Sequence, residues 1–489
     1  MVDLCLIGLY NCCHCFMYGN YQSNKGGISQ PDKKLAKRLD YLSLGMRNLL
    51  LAIAILAYQI SHGQSADAAT HPAWSLRSNI YEVNIRQYTA QGTFNAFAGH
   101  LDRLQAMGVE ILWFMPINPI SHLDRKGSLG SYYAVADYTA VNPEFGTLDD
   151  FKRLVRLAHT RGMKVLIDWV PNHTGADNRW LSQHPDFYIK DSSGKAAVPY
   201  DWTDTRQLNY ANPELRDSMI AAMKFWVTEA DIDGFRCDVA WNVPGDFWTD
   251  CIRQLKSMKS IFMLAEGDKA YLPASGFDAT YPWEMFHKMV QVAAGERPAF
   301  ALDSVLQHYN SIYPKGAMQM YFTSNHDENS SNGADYATFP GPAHAPFAVF
   351  TQTMPNDIPL IYGGQEEPVL RAIRFFDKDT ISFHTLGRRT FYKTLLMLRR
   401  QDPALDADAA FERLTSGADS AVYAFVRKKA GRQVLVLLNF SRQSQAVDLP
   451  PSIAGRALDV FTDKFVSVGR HLILQPWDYK VYEYRSAHK

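Results

Sequence analysis

Residues 233–240, DGFRCDVA, place an arginine and a carboxylate two positions apart in a run typical of a buried strand. Side chains alternate along a strand, so Arg236 and Asp238 share one face while Phe235 and Cys237 point to the other, toward a helical layer. A neighbouring guanidinium favours an ionised carboxylate, which predicts a low pKa for Asp238 and a role as nucleophile. A lone Arg-x-Asp is more often a structural ion pair, so other residues must decide.

Further acids fall at or just beyond the ends of other predicted strands. The interval from Asp238 to Glu266 is about one strand-helix unit, and that from Glu266 to Asp327 is about two. Asp168 ends an earlier strand. In a barrel of parallel strands these ends meet at one face, so the acids should converge there. Glycoside hydrolysis requires two such carboxylates in different environments, one as nucleophile and one as proton donor.

Short apolar strands alternate with amphipathic helices along some three hundred residues. This pattern predicts parallel strands with right-handed crossovers. A helix is predicted over 94–107, and Thr147 with Asp150 is expected to cap the next one. No glycine-rich dinucleotide turn follows the first strand, so a (β/α)8 TIM barrel is favoured over an open doubly wound sheet. The predicted strands lie at 80–85, 109–115, 164–168, 234–238, 261–266, near 277–280, 318–324 and 359–362.

The barrel is predicted to span residues 73–400. Residues 175–212, after the third strand, are too many for an ordinary loop and predict a small insertion subdomain over the barrel mouth. Beyond residue 405 the pattern changes to short strands joined by turns, which predicts an all-β sandwich domain over 405–489. The clearest of these strands fall at 421–427, 433–439, 457–461, 471–474 and 480–484.

An apolar run at 49–57 follows Met46 and Arg47 and precedes small residues. It is too short to span a membrane and predicts a signal peptide at 46–64, with export to the periplasm or the extracellular space. Residues 1–45 are then an over-extended reading frame; the alternative is an unusual leader. Their cysteines, including Cys12, Cys13 and Cys15, are followed by no second ligand pair at zinc-site spacing, so no metal site is predicted there.

The 489 residues carry 50 basic and 50 acidic side chains, and 47% are hydrophobic. This composition suits a large globular core. The charge balance shows no basic excess of the kind that nucleic-acid binders carry, so a neutral substrate is expected and a nucleic-acid partner is not.

Four motifs together resemble the α-amylase family, glycoside hydrolase family 13, in the order in which that family carries them. They are 168–173 (DWVPNH), 233–240, 264–267 (LAEG) and 322–327 (FTSNHD). Residues 130–146 and 358–366 are similar to further stretches of the family. The resemblance covers nearly everything after about residue 73, and it implies a barrel with the family's domain B insertion and C-terminal domain C.

The resemblance implies a retaining double displacement that needs no cofactor. Asp238 would form the glycosyl-enzyme, Glu266 would act as acid and then as base, and Asp327 would hold sugar hydroxyls. The substrate is expected to contact Tyr133, His173, Arg236 and His326.

Departures from the family pattern concern one sugar contact and a metal. Ser131 stands where many members carry a histidine. Many α-amylases bind calcium through an asparagine that matches Asn172, but an acid and a histidine of that site match Gln207 and Asn242 here. Calcium prefers charged oxygen ligands, so no metal ligand is assigned and a structural calcium ion is not assumed.

The expected substrate is an α-glucan, cleaved at α-1,4 bonds in starch, glycogen or maltooligosaccharides. One alternative is a transglycosylase or an α-1,6-acting relative, since Val239 after the nucleophile also occurs in such members. Another is a non-catalytic glucan-binding protein. Such a protein would be expected to lack one of the three acids, and all three are present. Tyr200, Trp202 and Trp241 are either a stacking platform for a glucan chain or part of the core.

Overall fold

The computed structural model describes residues 71–332 and 337–484. The predicted signal peptide, the predicted over-extended frame and the cysteines near residue 12 lie outside these ranges, as do the last residues of the predicted 405–489 domain. No helix in the described ranges combines the length and the apolar character that crossing a membrane requires.

Eight parallel strands form one sheet, in which the last strand in chain order lies beside the first and the others follow in chain order. The two ends of the sheet meet at a parallel bridge between Gln319 and Asp357, and Leu360 N donates to Tyr321 O at 2.9 Å. These contacts close a barrel, as predicted. The barrel strands are β1 (Ile80–Val83), β2 (Ile111–Phe114), β3 (Lys164–Trp169), β6 (Gly234–Cys237), β7 (Phe262–Ala265), β8 (Ala279–Thr280), β9 (Met318–Gln319) and β10 (Leu360–Tyr362).

Helices surround the barrel and join its strands. The α-helices are α1 (Ile85–Tyr88), α2 (Phe94–Ala98), α3 (Leu101–Met107), α4 (Leu148–His159), α5 (Trp180–Gln183), α6 (Pro213–Ala230), α7 (Gly245–Met258), α8 (Tyr271–Ala274), α9 (Trp283–Ala294), α10 (Ala301–Ile312), α11 (His344–Thr353) and α12 (Arg389–Gln401). Short 3₁₀ turns occupy Ala73–Arg77, Pro185–Phe187, Ala240–Asn242, Gly341–Ala343, Pro403–Leu405 and Pro451–Ile453, and a π-helical turn spans Glu328–Asn332.

The capping prediction for α4 is confirmed. The Thr147 side chain accepts from Asp150 N, and the Asp150 carboxylate accepts from Thr147 N. The predicted single helix over 94–107 is wrong, because the chain turns at Gly99 and His100 and forms α2 and α3 separately. Gly99 N bonds back to the carbonyls of Ala96 and Phe97, which ends α2. The predicted strand over 318–324 is also shorter, with only two residues in the ladder.

Strand β6 separates two groups of buried side chains. Phe235 and Cys237 are fully buried in the cluster that contains helix residues such as Met223 and Trp226, as predicted. A second cluster includes Trp113 and Leu166 of the barrel strands and extends through the helices 283–294 and 301–312 to the C-terminal part. Arg236 is fully buried with its guanidinium over the Trp113 ring, and it therefore lies inside the barrel.

A short antiparallel pair joins the start and the end of the insertion after β3, with β4 (His173–Gly175) at the start and β5 (Thr205–Gln207) near the end. In this pair His173 lies opposite Gln207. Asn212 then caps α6, its side chain accepting from Glu214 N and Leu215 N. The insertion is thus tied to the barrel at both of its ends.

The C-terminal part is all-β, with a six-stranded antiparallel sheet and a separate two-stranded pair. Arg427, buried on β12, donates to the carbonyls of Thr353 and Asp406 at 2.8 and 2.7 Å and so attaches the sheet to the barrel. The strands are β11 (Ala410–Leu414), β12 (Val422–Lys429), β13 (Arg432–Asn439), β14 (Gln445–Asp448), β15 (Gly455–Asp459), β16 (Lys464–Val468), β17 (His471–Leu474) and β18 (Tyr479–Tyr484).

Candidate active site

A cleft of about 230 Å³ opens at the carboxyl ends of the barrel strands, beside the insertion. Six of the seven predicted site residues line it, and the seventh, Arg236, lies buried beneath them. The structure therefore brings together residues that are far apart in the chain. The cleft is lined by Lys126, Ser131, Tyr133, His173, Trp202, Asp204, Thr205, Asp238, Val239, Glu266, His326, Asp327, Phe375 and Phe376.

Arg236 is shared by three carboxylates. Its Nη1 lies 2.9 Å from Asp168 Oδ1 and 2.9 Å from Asp238 Oδ1, and its Nη2 lies 3.1 Å from Glu266 Oε2. The guanidinium also contacts the ring of Tyr281, whose hydroxyl accepts from Nε at 3.2 Å. One positive charge thus faces three acids, so this cluster is expected to retain a proton in the free protein.

The prediction that Arg236 gives Asp238 a low pKa is wrong. Burial and the neighbouring Glu266 carboxylate raise the pKa of Asp238 well above its ordinary value, and Arg236 only opposes this rise. Burial likewise raises the pKa of Asp168 to about 6, against the opposing effect of Arg236. The Arg-x-Asp motif alone did not show that the Arg236 guanidinium also pairs with Asp168 and Glu266.

A strained turn directly after Asp238 brings a main-chain N–H group to Glu266. Val239 adopts the left-handed conformation, with φ of 44°, which is unfavourable for a β-branched residue. This conformation directs Val239 N to Glu266 Oε2 at 2.7 Å. Glu266 therefore accepts a hydrogen bond from Val239 N and forms an ion pair with Arg236, and these two contacts hold its carboxylate beside Asp238.

His326 is held as a cation between two acids. Its Nδ1 lies 2.6 Å from Glu82 Oε1, and its Nε2 lies 3.3 Å from Asp327 Oδ2 and 2.7 Å from the Tyr133 hydroxyl. Burial opposes the charge, but Asp327 and Glu82 outweigh it and raise the pKa of His326 to about 9. Asp327 is itself 44% exposed and open to the cleft. A cationic imidazole and a carboxylate that opens to the cleft thus stand side by side.

His173, at the other side of the cleft, is neutral. Burial lowers its pKa to about 3, and its Nδ1 lies 3.1 Å from Asn172 Nδ2. Because the amide nitrogen is a donor, Nδ1 must accept, and the ring proton is on Nε2. The two histidines of the motifs therefore carry different charges at neutral pH.

Several residues of the site were missed by sequence reasoning. Glu82 is fully buried on β1 and holds His326 in place. A carboxylate in the middle of an apolar strand is a signal that could have identified it. Phe375, whose ring is stacked 6.3 Å from that of Tyr133, and Tyr281 gave no comparable signal, because aromatic residues in such segments are usually core.

The structure excludes the core interpretation for two of the three aromatic residues. Tyr200 is 57% exposed and Trp241 is 39% exposed, so neither belongs to the core. The ring centroid of Tyr200 lies 4.8 Å from that of Trp202, which in turn lies 5.2 Å from the ring of His173. These rings form a continuous surface that leads away from the cleft.

The family resemblance implies an α-glucan substrate, so replacing Trp241 with alanine should lower kcat/KM on amylose by roughly two- to twelvefold, because one aromatic stacking contact contributes about 0.5–1.5 kcal/mol. On maltotriose, which is too short to extend far from the cleft, the change should be smaller. Initial rates on both substrates measure this difference. Phe300, which is 51% exposed and is not among the residues that line the cleft, provides the control variant Phe300→Ala. Equal losses on both substrates would contradict the platform.

An eight-stranded parallel barrel with two neighbouring carboxylates at its mouth is the architecture of a barrel-type glycoside hydrolase. Residues 64–207 and 198–380 match the family model described as the alpha amylase catalytic domain, and residues 411–481 match the maltogenic amylase C-terminal domain. The chain belongs to the α-amylase family.

Curated relatives include enzymes of several names. The chain is 28% identical over 408 residues to alpha-amylase MalA of Haloarcula japonica, which covers 79% of this chain and 59% of that protein. It is 26% identical to a cyclomaltodextrinase of a Bacillus species, over 71% of this chain and 65% of the relative, and 26% identical to neopullulanase 2 of Thermoactinomyces vulgaris, over 84% and 77%. The chain thus spans about three fifths of the length of the first two.

Solved structures share the fold over nearly their whole length. A crystal structure of an alpha-amylase from Lactobacillus plantarum has a TM-score of 0.76 at 29% identity, covering 84% of this chain and 100% of that one. A maltogenic alpha-amylase, AmyB, from Thermotoga neapolitana also has a TM-score of 0.76, at 27% identity, covering 84% and 99%.

Proposed function

We propose that this protein hydrolyses α-1,4-glucosidic bonds of maltooligosaccharides, starch or glycogen with retention of the anomeric configuration. The observation that carries the proposal is the binding of Asp238 and Glu266 to neighbouring nitrogens of one guanidinium. Retaining enzymes hold their two carboxyl groups about 5–5.5 Å apart, whereas inverting enzymes separate them to admit a water molecule. Carboxylates that share one guanidinium are close neighbours, which supports retention.

In the first step, Asp238 attacks the anomeric carbon while the bond to the leaving oxygen breaks. Glu266 donates its proton to that oxygen, and the new bond is an ester between Asp238 and the sugar. The geometry supports these roles, since Val239 N and Arg236 hold the Glu266 carboxylate beside Asp238. As Glu266 gives up its proton, the Val239 N–H group and the positive charge of Arg236 stabilise the carboxylate that forms.

In the second step, Glu266 takes a proton from water, whose oxygen attacks the anomeric carbon and releases Asp238. The same acid thus serves as donor and then as base. Asp327 offers an acceptor to hydroxyls of the reacting ring, and the cationic His326 beside it stabilises the negative charge of the Asp327 carboxylate. His173 offers a neutral donor from the insertion side.

The substrate class follows from the cleft and from the relatives. A neutral, hydroxyl-rich ring suits a cleft that combines aromatic faces with paired donors and acceptors. The relatives named alpha-amylase, cyclomaltodextrinase and neopullulanase make an α-glucan the substrate to test first. Export, predicted from the apolar run at 49–57, is part of the same proposal, because an exported enzyme would meet polymeric glucans.

A product profile tests the proposal. Protein from about residue 64 onward is incubated with amylose, pullulan and isomaltooligosaccharides, and NMR follows the anomeric protons with time. We expect short α-configured maltooligosaccharides from amylose and little product from the α-1,6 substrates. Immediate β-products would contradict retention. Faster release from isomaltooligosaccharides would favour the α-1,6 alternative, longer products from a maltooligosaccharide would favour transfer, and no product from any α-glucan would contradict an enzyme.

A further inference from the structure

Three side-chain amides meet where the insertion joins the barrel. Asn172 Oδ1 accepts from Gln207 Nε2 at 2.9 Å and from Asn242 Nδ2 at 2.9 Å. Asn172 follows β3, Gln207 ends β5 of the insertion, and Asn242 lies in the turn after the nucleophile strand. This amide cluster (Asn172, Gln207, Asn242) therefore connects three separate segments around the cleft.

The amide cluster is saturated with hydrogen bonds at its centre. Asn172 is 1% exposed, so its carbonyl oxygen must find its partners within the protein. Both donors reach that oxygen, and Gln207 Nε2 also lies 3.2 Å from the main-chain oxygen of Asn172. An oxygen that already accepts two hydrogen bonds has no lone pair left for another ligand.

These residues do not fit a calcium ion. Calcium takes six to eight oxygen ligands and favours carboxylates, whereas the amide cluster is uncharged and directs N–H groups at Asn172 Oδ1. Within residues 71–332 and 337–484, no group of three or more histidine, cysteine or acidic side chains is placed to hold a metal. The position that α-amylases often give to calcium is thus built here from neutral amides.

We propose that the amide cluster is a metal-free clamp that holds the insertion on the barrel where a cation would otherwise do so. The clamp also positions His173. Because Oδ1 of Asn172 is committed to Gln207 and Asn242, its Nδ2 is the atom directed at His173 Nδ1. The effect on His173 rests on the proposed function, whereas the effect on stability does not.

The first test is thermal unfolding of the unmodified protein with and without a chelator. We expect the same Tm in excess EDTA and in millimolar calcium, because no ion contributes at this position. A fall in Tm with EDTA that calcium reverses would overturn the proposal.

The second test is Gln207→Glu, which keeps the shape of the side chain but replaces its donor with an oxygen. At neutral pH two oxygens would then face each other, so Tm without calcium should fall, by about 2–5 °C. The new carboxylate with the Asn172 oxygens forms an oxygen-rich site, so calcium should recover part of the loss. Gln183→Glu, an exposed change in the same insertion, is the matched control. It should neither lower Tm nor make Tm depend on calcium.

An unchanged Tm for Gln207→Glu would contradict the proposal that the amide cluster holds the insertion. A fall in Tm that calcium does not reverse would contradict the proposal that the cluster takes the place of a cation. The kinetic readout is separate. Without calcium, Gln207→Glu should raise KM more than it lowers kcat, since the proposed function has His173 contact bound sugar, and calcium should reverse the change in KM. If the unmodified protein cleaves no α-glucan while the Tm results hold, the proposed function fails and the clamp stands.

Discussion

Replacing Asp238 with asparagine will lower kcat on maltooligosaccharides by about 10⁴-fold or more, the scale expected when a nucleophile is removed. The amide has the shape of the carboxylate but cannot form the ester with the anomeric carbon. Tm should stay the same or rise, because burial and the Glu266 charge disfavour an ionised Asp238 in the folded protein. Release of reducing sugar and thermal unfolding are the two measurements.

Asp217→Asn is the control for the Asp238 variant. Asp217 is exposed on α6, and the same chemical change there should leave both kcat and Tm unaltered. An Asp238→Asn protein that retains activity within tenfold of the unmodified enzyme would place the nucleophile elsewhere. A large fall in Tm would instead show that the ion pair with Arg236 serves the fold.

Replacing Glu266 with glutamine should separate the two chemical steps. On maltotriose, whose leaving oxygen needs a proton, kcat should fall by about 10²–10⁴-fold. On α-maltosyl fluoride, whose leaving group needs none, formation of the glycosyl-enzyme should continue, while its hydrolysis slows for want of a base. Mass spectrometry of digested protein should then find a maltosyl group on the peptide that contains Asp238.

The same variant should change the pH dependence. Asp238 must be ionised to attack, so the rate of glycosylation falls as pH drops through its pKa. The Glu266 charge raises that pKa, and its removal should move the acid limb of kcat/KM for α-maltosyl fluoride to lower pH. An acid limb that stays in place or moves upward, or equal losses on both substrates, would contradict the assignment of Glu266.

The fold was predictable to the extent that it depends on local patterns. All eight barrel strands fall within or close to the apolar runs that predicted them, and Thr147 with Asp150 begins α4 as expected. The two wrong predictions of secondary structure lie where contacts with the rest of the chain override the local sequence pattern. Gly99 and His100 break a helix that the apolar periodicity continued, and β9 is short because the chain leaves the ladder at the barrel mouth.

The sequence by itself determined the barrel, the acids at its strand ends and the absence of carboxylates at Gln207 and Asn242. These follow from residue type and spacing, which act within one strand or one turn. Only the tertiary structure decided the charges and contacts, because they depend on residues distant in the chain. Glu82 reaches His326 across 244 positions, and Glu266, 28 positions from Asp238, opposes the ionisation that the local Arg236 would favour. The amides of Gln207 and Asn242 became a clamp only when folding brought both to Asn172.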